Sequence, residues 1–590
     1  MLKEEIVKLI TAQSDLSSDE IAELLEKPHV LRPAIGGITE CGNNETKGDY
    51  ALACFKLTQK IKKSPQAIAS ELAGQLKPAP DSLIASVKPA GGYINFFANP
   101  VKLTPLILEA IRQKGSQYGC SESGRGKTIV IDYSSPNIAK PFGIGHLRST
   151  VIGHALYNIY AASGYKCVGL NYLGDWGTQF GMLIADYKRN RELYQQLLYK
   201  KFQFITVSLA ERYAAYNEET KSNPDLLDQA RLEFQKLEQG DPENLELWRN
   251  FKELSLTEFQ RIYKLLGVEF DKYSGESEVN RDIDRVIGEI QRKGLSEISD
   301  GALVVKLEKY GMPPCLLRKS DGATLYAARD ITAAVQRYET YKFHKLIYVV
   351  GADQKLHFRQ VFKVLDLMGY DWAKDCVHVD FGLVRLSGEK MSTRKGQTVL
   401  LEEVLDKTIE LSRLAMQNRT AELKDKVEPS KVETVARTVG IGAVVFNDLK
   451  NQRIKDVDFN WEQILSFDGE TGPYLQYTHT RLASLMKKYD SSLPPAGPGS
   501  EYKLPEEVNL IKQMGDFPEI IQRAADKYEP SIISNYLLNL AGSFNRYYRY
   551  HRIISDDAVL TQSRITLGRY LQQIISQGLN LLGIKLPEAM

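Results

Sequence analysis

Two short stretches of this chain carry residue types suited to holding a polyphosphate. The first is Phe142-Gly143-Ile144-Gly145-His146. An apolar β-type run, Thr128 to Ile131, and a turn-rich loop, Ser134-Ser135-Pro136-Asn137, lead into it, and a helix-like run from Leu147 to Ala162 follows. In that order, glycines at Gly143 and Gly145 let a nucleotide approach the backbone, and the helix start offers free N–H groups and a positive dipole end. A tight strand-to-helix turn uses the same residues, so the loop alone decides nothing. The second stretch lies about 240 residues on: Ser387-Gly388-Glu389-Lys390-Met391-Ser392-Thr393-Arg394-Lys395-Gly396. Its cations, at a strand end between glycines, can clamp a triphosphate and offset the charge of departing pyrophosphate. A solvated basic loop would read alike; the pairing with the first stretch favours the nucleotide.

The elements that must position these stretches divide the chain of 590 residues, 43% hydrophobic and 25% charged. At roughly 100–200 residues per domain, that length asks for three or four domains. Residues 1–105 form a preface of short helices, one from Tyr50 to Ile61 and one from Pro65 to Leu76, closed by a strand that starts at Gly91-Gly92. Residues 106–400 form the core. Strand-like runs at Ala302–Leu307, Thr324–Ala327, Leu346–Val350 and His378–Val384 alternate with helices, which argues a parallel, doubly wound sheet. Residues 187–265, polar and helical, read as an insertion into it. From Leu400 the pattern is helical to the end, with residues 401–460 as a stem and 461–590 as a terminal domain, broken by a Pro/Gly/Ser-rich loop from Ser491 to Pro505. The fold class is α/β multidomain.

Net charge is +2, so any nucleic-acid contact must come from local patches. The six cysteines are scattered, with no Cys-x-x-Cys pair, as suits a reducing cytoplasm. No apolar run approaches the ~18 residues of a membrane span, and the acidic start does not read as a signal peptide. A cytoplasmic protein with no membrane partner is expected.

Several segments converge on one family. The loop Phe142 to His146 resembles the His-x-Gly-His signature of class I aminoacyl-tRNA synthetases, and Lys390-Met391-Ser392 resembles the start of their Lys-Met-Ser-Lys-Ser signature. Four further segments make the likeness specifically arginyl: Ser135 to Phe142, Asn171 to Gly181, Leu325 to Ile331, and Gly469 to Tyr477. The chain thus resembles an arginyl-tRNA synthetase over nearly its whole length. Two positions depart from the signatures, Gly143 for the first histidine and Thr393 for the second lysine.

The resemblance implies a Rossmann-type catalytic core, an α+β N-terminal domain that touches the tRNA elbow, and an all-α anticodon-binding domain at the C-terminus. It implies ATP-dependent activation of L-arginine to an adenylate, then transfer to the 3'-terminal ribose of tRNA(Arg). ATP with Mg2+ enters as substrate, no tightly bound cofactor or resident metal is expected, and neither is a second subunit. By resemblance His146, Lys140, Lys390 and Arg394 carry the phosphate charge, with Gly143, Gly145, Met391 and Ser392 completing the ATP site. Asn137, Glu276, Tyr326, Asp330 and Gln354 hold the arginine. A guanidinium is planar, permanently charged and forked toward carboxylates, so acids are the chemistry it needs. Tyr326 and Asp330, four apart on a helix start, face one way. Tyr93 and Asn95, alternating along one strand, meet the tRNA elbow. Arg546, Tyr547, Arg549 and Arg552 interleave cations with rings, which suits unpaired bases but also describes a helix with a tyrosine core face and a solvated basic face.

Three other readings stay open at this level. A class I synthetase for another amino acid is the nearest: cysteinyl enzymes carry zinc ligands, of which this chain has no suitably spaced Cys/His cluster, and the large branched-chain enzymes need an editing domain, for which the insertion of roughly 80 residues is short and highly charged. A synthetase-derived RNA-binding protein is invited by Gly143. A simple nucleotidyltransferase leaves the preface and helical tail without purpose.

Overall fold

The structure, a computed structural model, describes residues 1–14, 16–26, 48–200, 205–320, 322–386, 389–390, 399–420, 428–489 and 502–588. The chain divides into two compact units, one of residues 1–118, 481–518 and 535–575, the other of residues 119–480, 519–534 and 576–590.

The second unit is built on a parallel sheet. Its strands are β1 (Thr128–Asp132), β2 (Lys166–Leu173), β3 (Lys272–Gly275), β4 (Lys345–Gly351) and β5 (Cys376–Phe381), in the order β5-β4-β1-β2-β3. Every neighbouring pair is parallel. The chain runs outward from β1 in one direction through β2 and β3, and in the other through β4 and β5. Right-handed crossovers therefore place the connecting helices on opposite faces. This is the doubly wound order, and its ligands sit beyond the carboxyl ends of the strands, where the direction reverses. The sequence shows why the strands are central: Ile129, Val130 and Ile131 are fully buried, a continuous β-branched run that only a sheet covered on both faces buries.

Helix α1 (Gly145–Ala162) joins β1 to β2, α2 (Tyr326–Tyr341) precedes β4, and α3 (Lys355–Leu367) joins β4 to β5. Ile331, Ala334 and Val335 of α2 and Phe358, Val361, Val364 and Leu365 of α3 share one core with Val130, Leu346 and Tyr348 of the sheet. The stretch expected as an insertion is helical: Arg191–Lys200, Ile205–Ser222, Asp225–Glu238 and Pro242–Leu266. Two of its side chains hold Asp186 of the preceding helix Thr178–Arg189: Arg212 donates to that carboxylate at 2.6 Å and the Tyr194 hydroxyl at 2.8 Å. Among the described residues no helix is long and apolar enough to cross a membrane.

Some elements differ from the sequence expectation. Residues 302–305 belong to a separate antiparallel sheet with Ser296–Ser299 and Cys315–Arg318, outside the parallel one. Residues 324–327 do not form a strand: only Thr324 bridges, to Arg318, and Tyr326 already opens α2. Four residues of mixed pattern cannot distinguish a strand from a helix start. The run from His378 breaks at Gly382, where an added Cβ would lie 2.7 Å from Lys455 and Asp456 atoms. The following strand Val384–Leu386 pairs in parallel with Val457–Phe459, a strand within a stretch that reads as helical.

In the first unit Tyr50–Ala53 is a strand, not the start of a helix. It pairs with Tyr93–Ala98 in a sheet that also holds Leu25–Glu26 and Ile84–Ala90. Only a short turn and Thr58–Ile61 are helical there. Apolar Tyr-Ala-Leu-Ala fits either period, and cross-strand pairing decides it. The C-terminal region is four long helices, Gly472–Lys488, Pro505–Lys527, Ser531–Tyr550 and Ala558–Leu581.

Candidate active site

The loop that leaves β1 is held in a conformation that most residues avoid. Ser134, Ser135 and Ala139 have φ of 70°, 49° and 59°. Non-glycine residues in this region cost of order 1–3 kcal/mol each and persist only where surroundings fix them. Here the surroundings do. The Ser149 hydroxyl accepts from the Ser134 N–H at 2.8 Å, and the Ser134 hydroxyl lies 2.7 Å from that of Tyr263 and 2.8 Å from that of Thr150. The Ser135 hydroxyl donates to Asp132, and the Ala139 N–H donates to Ser255. Tyr263 and Ser255 both stand on the helix Pro242–Leu266. The insertion is therefore a brace for the loop rather than an ornament.

Beyond that loop the first phosphate-type stretch pairs through its backbone with residues 399–401, which follow the second in sequence. Gly143 bridges Leu400 in antiparallel fashion; the Ile144 N–H donates to Val399 and the Leu401 N–H to Phe142, each at 3.0 Å. Helix α1 then starts at Gly145 with no side-chain cap, and a Cβ on Gly145 would meet nothing within 4 Å. Open space lies above Gly145 and the positive dipole end of α1, while the His146 and Leu147 N–H groups donate to the Gly143 and Ile144 carbonyls at 3.0 Å. Lys140 is exposed beside it. His146 directs Nδ1 to the Gly143 carbonyl at 3.3 Å. A carbonyl only accepts, so Nδ1 carries the proton. Burial, and the charge of Lys140, push the His146 pKa down. The resting ring is thus neutral, with Nε2 free of a proton. One turn along, Arg148 reaches Asp448 of the helix Val432–Leu449 at 3.0 Å, both fully buried, and ties α1 to the stem. Lys390 lies on the strand Glu389–Lys390, paired with Val384–Leu386; Met391, Ser392, Thr393 and Arg394 lie outside the described residues.

Next to the phosphate loop, carboxylates gather at the strand ends. Asp132 ends β1, Asp175 follows β2, Glu276 follows β3, and Asp330 comes from α2. Glu276 pairs with Arg329 at 2.8 Å, and the Arg329 guanidinium lies 5.7 Å from the Tyr326 ring centroid. Burial raises the Glu276 pKa to about 7 against the pull of Arg329, and the charges of Asp330 and Asp175 add to the rise. Asp132 pairs with Arg337 at 2.7 Å, and that guanidinium lies 5.0 and 5.2 Å from the rings of Tyr172 and Tyr348. Asp175 is fully buried, takes Lys252 at 2.6 Å and accepts from the Ser277 N–H and hydroxyl. Gly275 must be glycine for this: a Cβ there would sit 2.3 Å from the Asp175 carboxylate. Asp330 lies 2.5 Å from Nε2 of His357 on α3. Carboxylates gathered in this way, beside a glycine loop at a helix start, suit a ligand that carries a cation at one end and phosphate at the other.

Three further expected residues line the same strand ends. Tyr326 is 68% exposed at the mouth of α2. Gln354, just after β4, is exposed, with its amide on Asp353. Asn137 is exposed and bridges Gly174, whose lack of a side chain lets the amide approach. The pairings of Asp330 with His357, Glu276 with Arg329 and Asp132 with Arg337 had no signal in the sequence, because each joins elements far apart along the chain.

Comparison with known proteins bears directly on this geometry. Residues 107–461 match the family described as tRNA synthetases class I (R), catalytic domain; residues 2–98 match the arginyl tRNA synthetase N terminal domain and residues 475–590 the DALR anticodon binding domain. The arginine–tRNA ligase of Alkaliphilus metalliredigens is 43% identical over 592 residues, covering 100% of this chain and 99% of that protein. That of Halothermothrix orenii is 44% identical over 589 residues with the same coverage. The chain belongs to the arginyl-tRNA synthetases. The solved Thermus thermophilus arginyl-tRNA synthetase superposes with a TM-score of 0.80 at 25% identity, covering 100% of both chains.

Residues outside the catalytic core were expected to meet RNA, and the structure sorts them by exposure. Tyr93 is exposed and stands edge-on to Phe55 at 5.3 Å. Asn95 is only 5% exposed; its amide oxygen accepts from the Gly48 N–H, so it is spent inside the fold. Arg546, Arg549 and Arg552 are exposed. Tyr547 is not: it is 1% exposed and donates to Glu507, which also takes Arg564. The surface rings of that helix end are Tyr548 and Tyr550. On a helix, neighbours in sequence point different ways, so an interleaved run divides into a core face and a solvated one.

Proposed function

We propose that this protein charges tRNA(Arg) with L-arginine. The carboxylate of arginine attacks the α-phosphorus of ATP and pyrophosphate leaves; the terminal ribose hydroxyl of the tRNA then attacks the mixed anhydride and AMP leaves. Both steps ask for positioning and charge neutralisation rather than a protein nucleophile. The observation that carries the reading is the junction, on one set of strand ends, of an anion-accepting helix start with a pocket of carboxylates. Whole-length identity of 43–44% to arginine–tRNA ligases supports it.

Within that reading, the Gly145 N–H and the positive dipole end of α1 meet the phosphates, with ATP entering as its Mg2+ complex. Lys140, Lys390 and Arg394 supply cations. His146 gains a proton on Nε2 as the phosphates arrive and donates to them. Asp330, Glu276 and Tyr326 take the guanidinium; Asn137 and Gln354 take the amino-acid end. Gly143 leaves the first signature position without a side chain, while its backbone bridges Leu400. The exposed arginines 546, 549 and 552 and Tyr93 meet the tRNA. The enzyme works as a cytoplasmic monomer. The test is charging of total tRNA by the pure protein with ATP, magnesium and each amino acid in turn. Charging with arginine alone is expected; charging with another amino acid, or with none by folded protein, overturns the reading.

A further inference from the structure

Around the pocket, each carboxylate meets a base carried on another part of the fold, and the bases are not alike. Lys252 holds Asp175, Arg337 holds Asp132 and Arg329 holds Glu276. A guanidinium or an ammonium brings a full positive charge, and each offsets part of the charge it meets. Asp330 meets His357 instead. An imidazole donates a hydrogen bond without carrying a fixed charge, so it can orient a carboxylate and leave its charge in place. His357 is itself well anchored: its neighbour Phe358 is buried in the core between α3 and the sheet, and the two rings meet edge to face at 5.3 Å. His357 engages Oδ2 of Asp330 alone. Glu238, exposed at the rim near Arg329, adds further negative charge.

Of the four carboxylates at the strand ends, Asp330 is thus the one whose ion-pair partner in this set carries no fixed charge. On the reading that this pocket takes L-arginine, we infer that His357 is a positioning residue that fixes Asp330 while leaving its charge unspent, and that this unspent charge selects a cationic side chain over a neutral one of the same shape. Were His357 a lysine or arginine, Asp330 would meet a fixed cation before the substrate arrived, and a guanidinium would gain less over a urea.

The experiment is tRNA charging by the full-length protein at pH 8, with KM and kcat for arginine, KM for ATP, and inhibition by L-citrulline, whose ureido group has the guanidinium's shape without its charge. His357→Leu removes the hydrogen bond and is expected to raise the arginine KM about tenfold with kcat and the ATP KM within about twofold. His357→Gln restores a neutral donor and is expected to return the arginine KM to within about threefold of wild type. His357→Lys keeps a donor but adds a charge; it is expected to raise the arginine KM tenfold or more and to strengthen citrulline relative to arginine. If the Lys variant matches the Gln variant in arginine KM and citrulline inhibition, the inference is overturned, and the Gln and Lys variants decide this even if the Leu variant does not fold. A wild-type protein that charges no arginine overturns the functional reading, and this inference with it; wild-type charging with equal Gln and Lys variants overturns this inference alone.

Discussion

The two ends of the site are made differently. At the phosphate end the contacts that shape the pocket are main-chain: Phe142 and Ile144 laddered to Leu401 and Val399, an uncapped helix start, and a strained loop pinned by hydroxyls. At the amino-acid end the shape comes from side-chain charges set against one another, Glu276 on Arg329, Asp132 on Arg337, Asp330 on His357. Backbone groups are present whatever the residue, so the first end can lose a signature side chain, as at Gly143. Paired charges in a poorly solvated pocket cannot be altered singly, because the partner is left exposed to the cost of burial.

The largest effect should come where the backbone end depends on a buried charge after all. Arg148→Ala strands Asp448 inside the fold, and a loss of about 3–5 kcal/mol in unfolding free energy is expected from denaturant melts. A loss below 1 kcal/mol would show that the α1-to-stem tie carries no weight. Next, Asp330→Asn keeps shape and removes charge; arginine-dependent kcat/KM should fall by roughly 2–4 kcal/mol, about thirty- to a thousandfold. Smaller is the pH effect at Glu276, whose carboxyl is pushed up to about 7. An arriving guanidinium favours the ionised form, so binding is strongest above that value and weakens as the carboxyl protonates below it. The arginine KM should rise about tenfold from pH 8 to pH 6, following the ionised fraction, and Glu276→Gln should flatten the profile. A wild-type profile that is already flat would remove Glu276 from the site. The smallest change is Gly143→His, restoring the family residue: a change of less than about threefold in ATP KM is expected if, as proposed, the phosphates are held chiefly by the helix start and its neighbouring cations.

The same contrast explains what could be read from the sequence. Backbone-built features announce themselves locally: a β-branched run, a glycine loop and a helix start lie within about twenty residues, and the parallel core with α1 followed from them. Asp330 and Glu276 were legible through family segments, but their partners were not, since His357 and Arg329 lie on other elements and nothing periodic links them. Tyr50–Ala53 misled because four apolar residues fit helix or strand, and only Tyr93–Ala98 settles it. Tyr547 misled for a related reason: alternation of rings and cations shows composition, while helical geometry decides which of them reach solvent.

The most direct test of this division of labour is a paired measurement of the KM for arginine and the KM for ATP in Asp330→Asn and Gly143→His, each against wild type in tRNA charging. The account expects Asp330→Asn to raise the arginine KM at least tenfold with the ATP KM little changed, and Gly143→His to move neither by more than about threefold. A tenfold shift in ATP KM on restoring the histidine, or an arginine KM untouched by loss of the Asp330 charge, would contradict it.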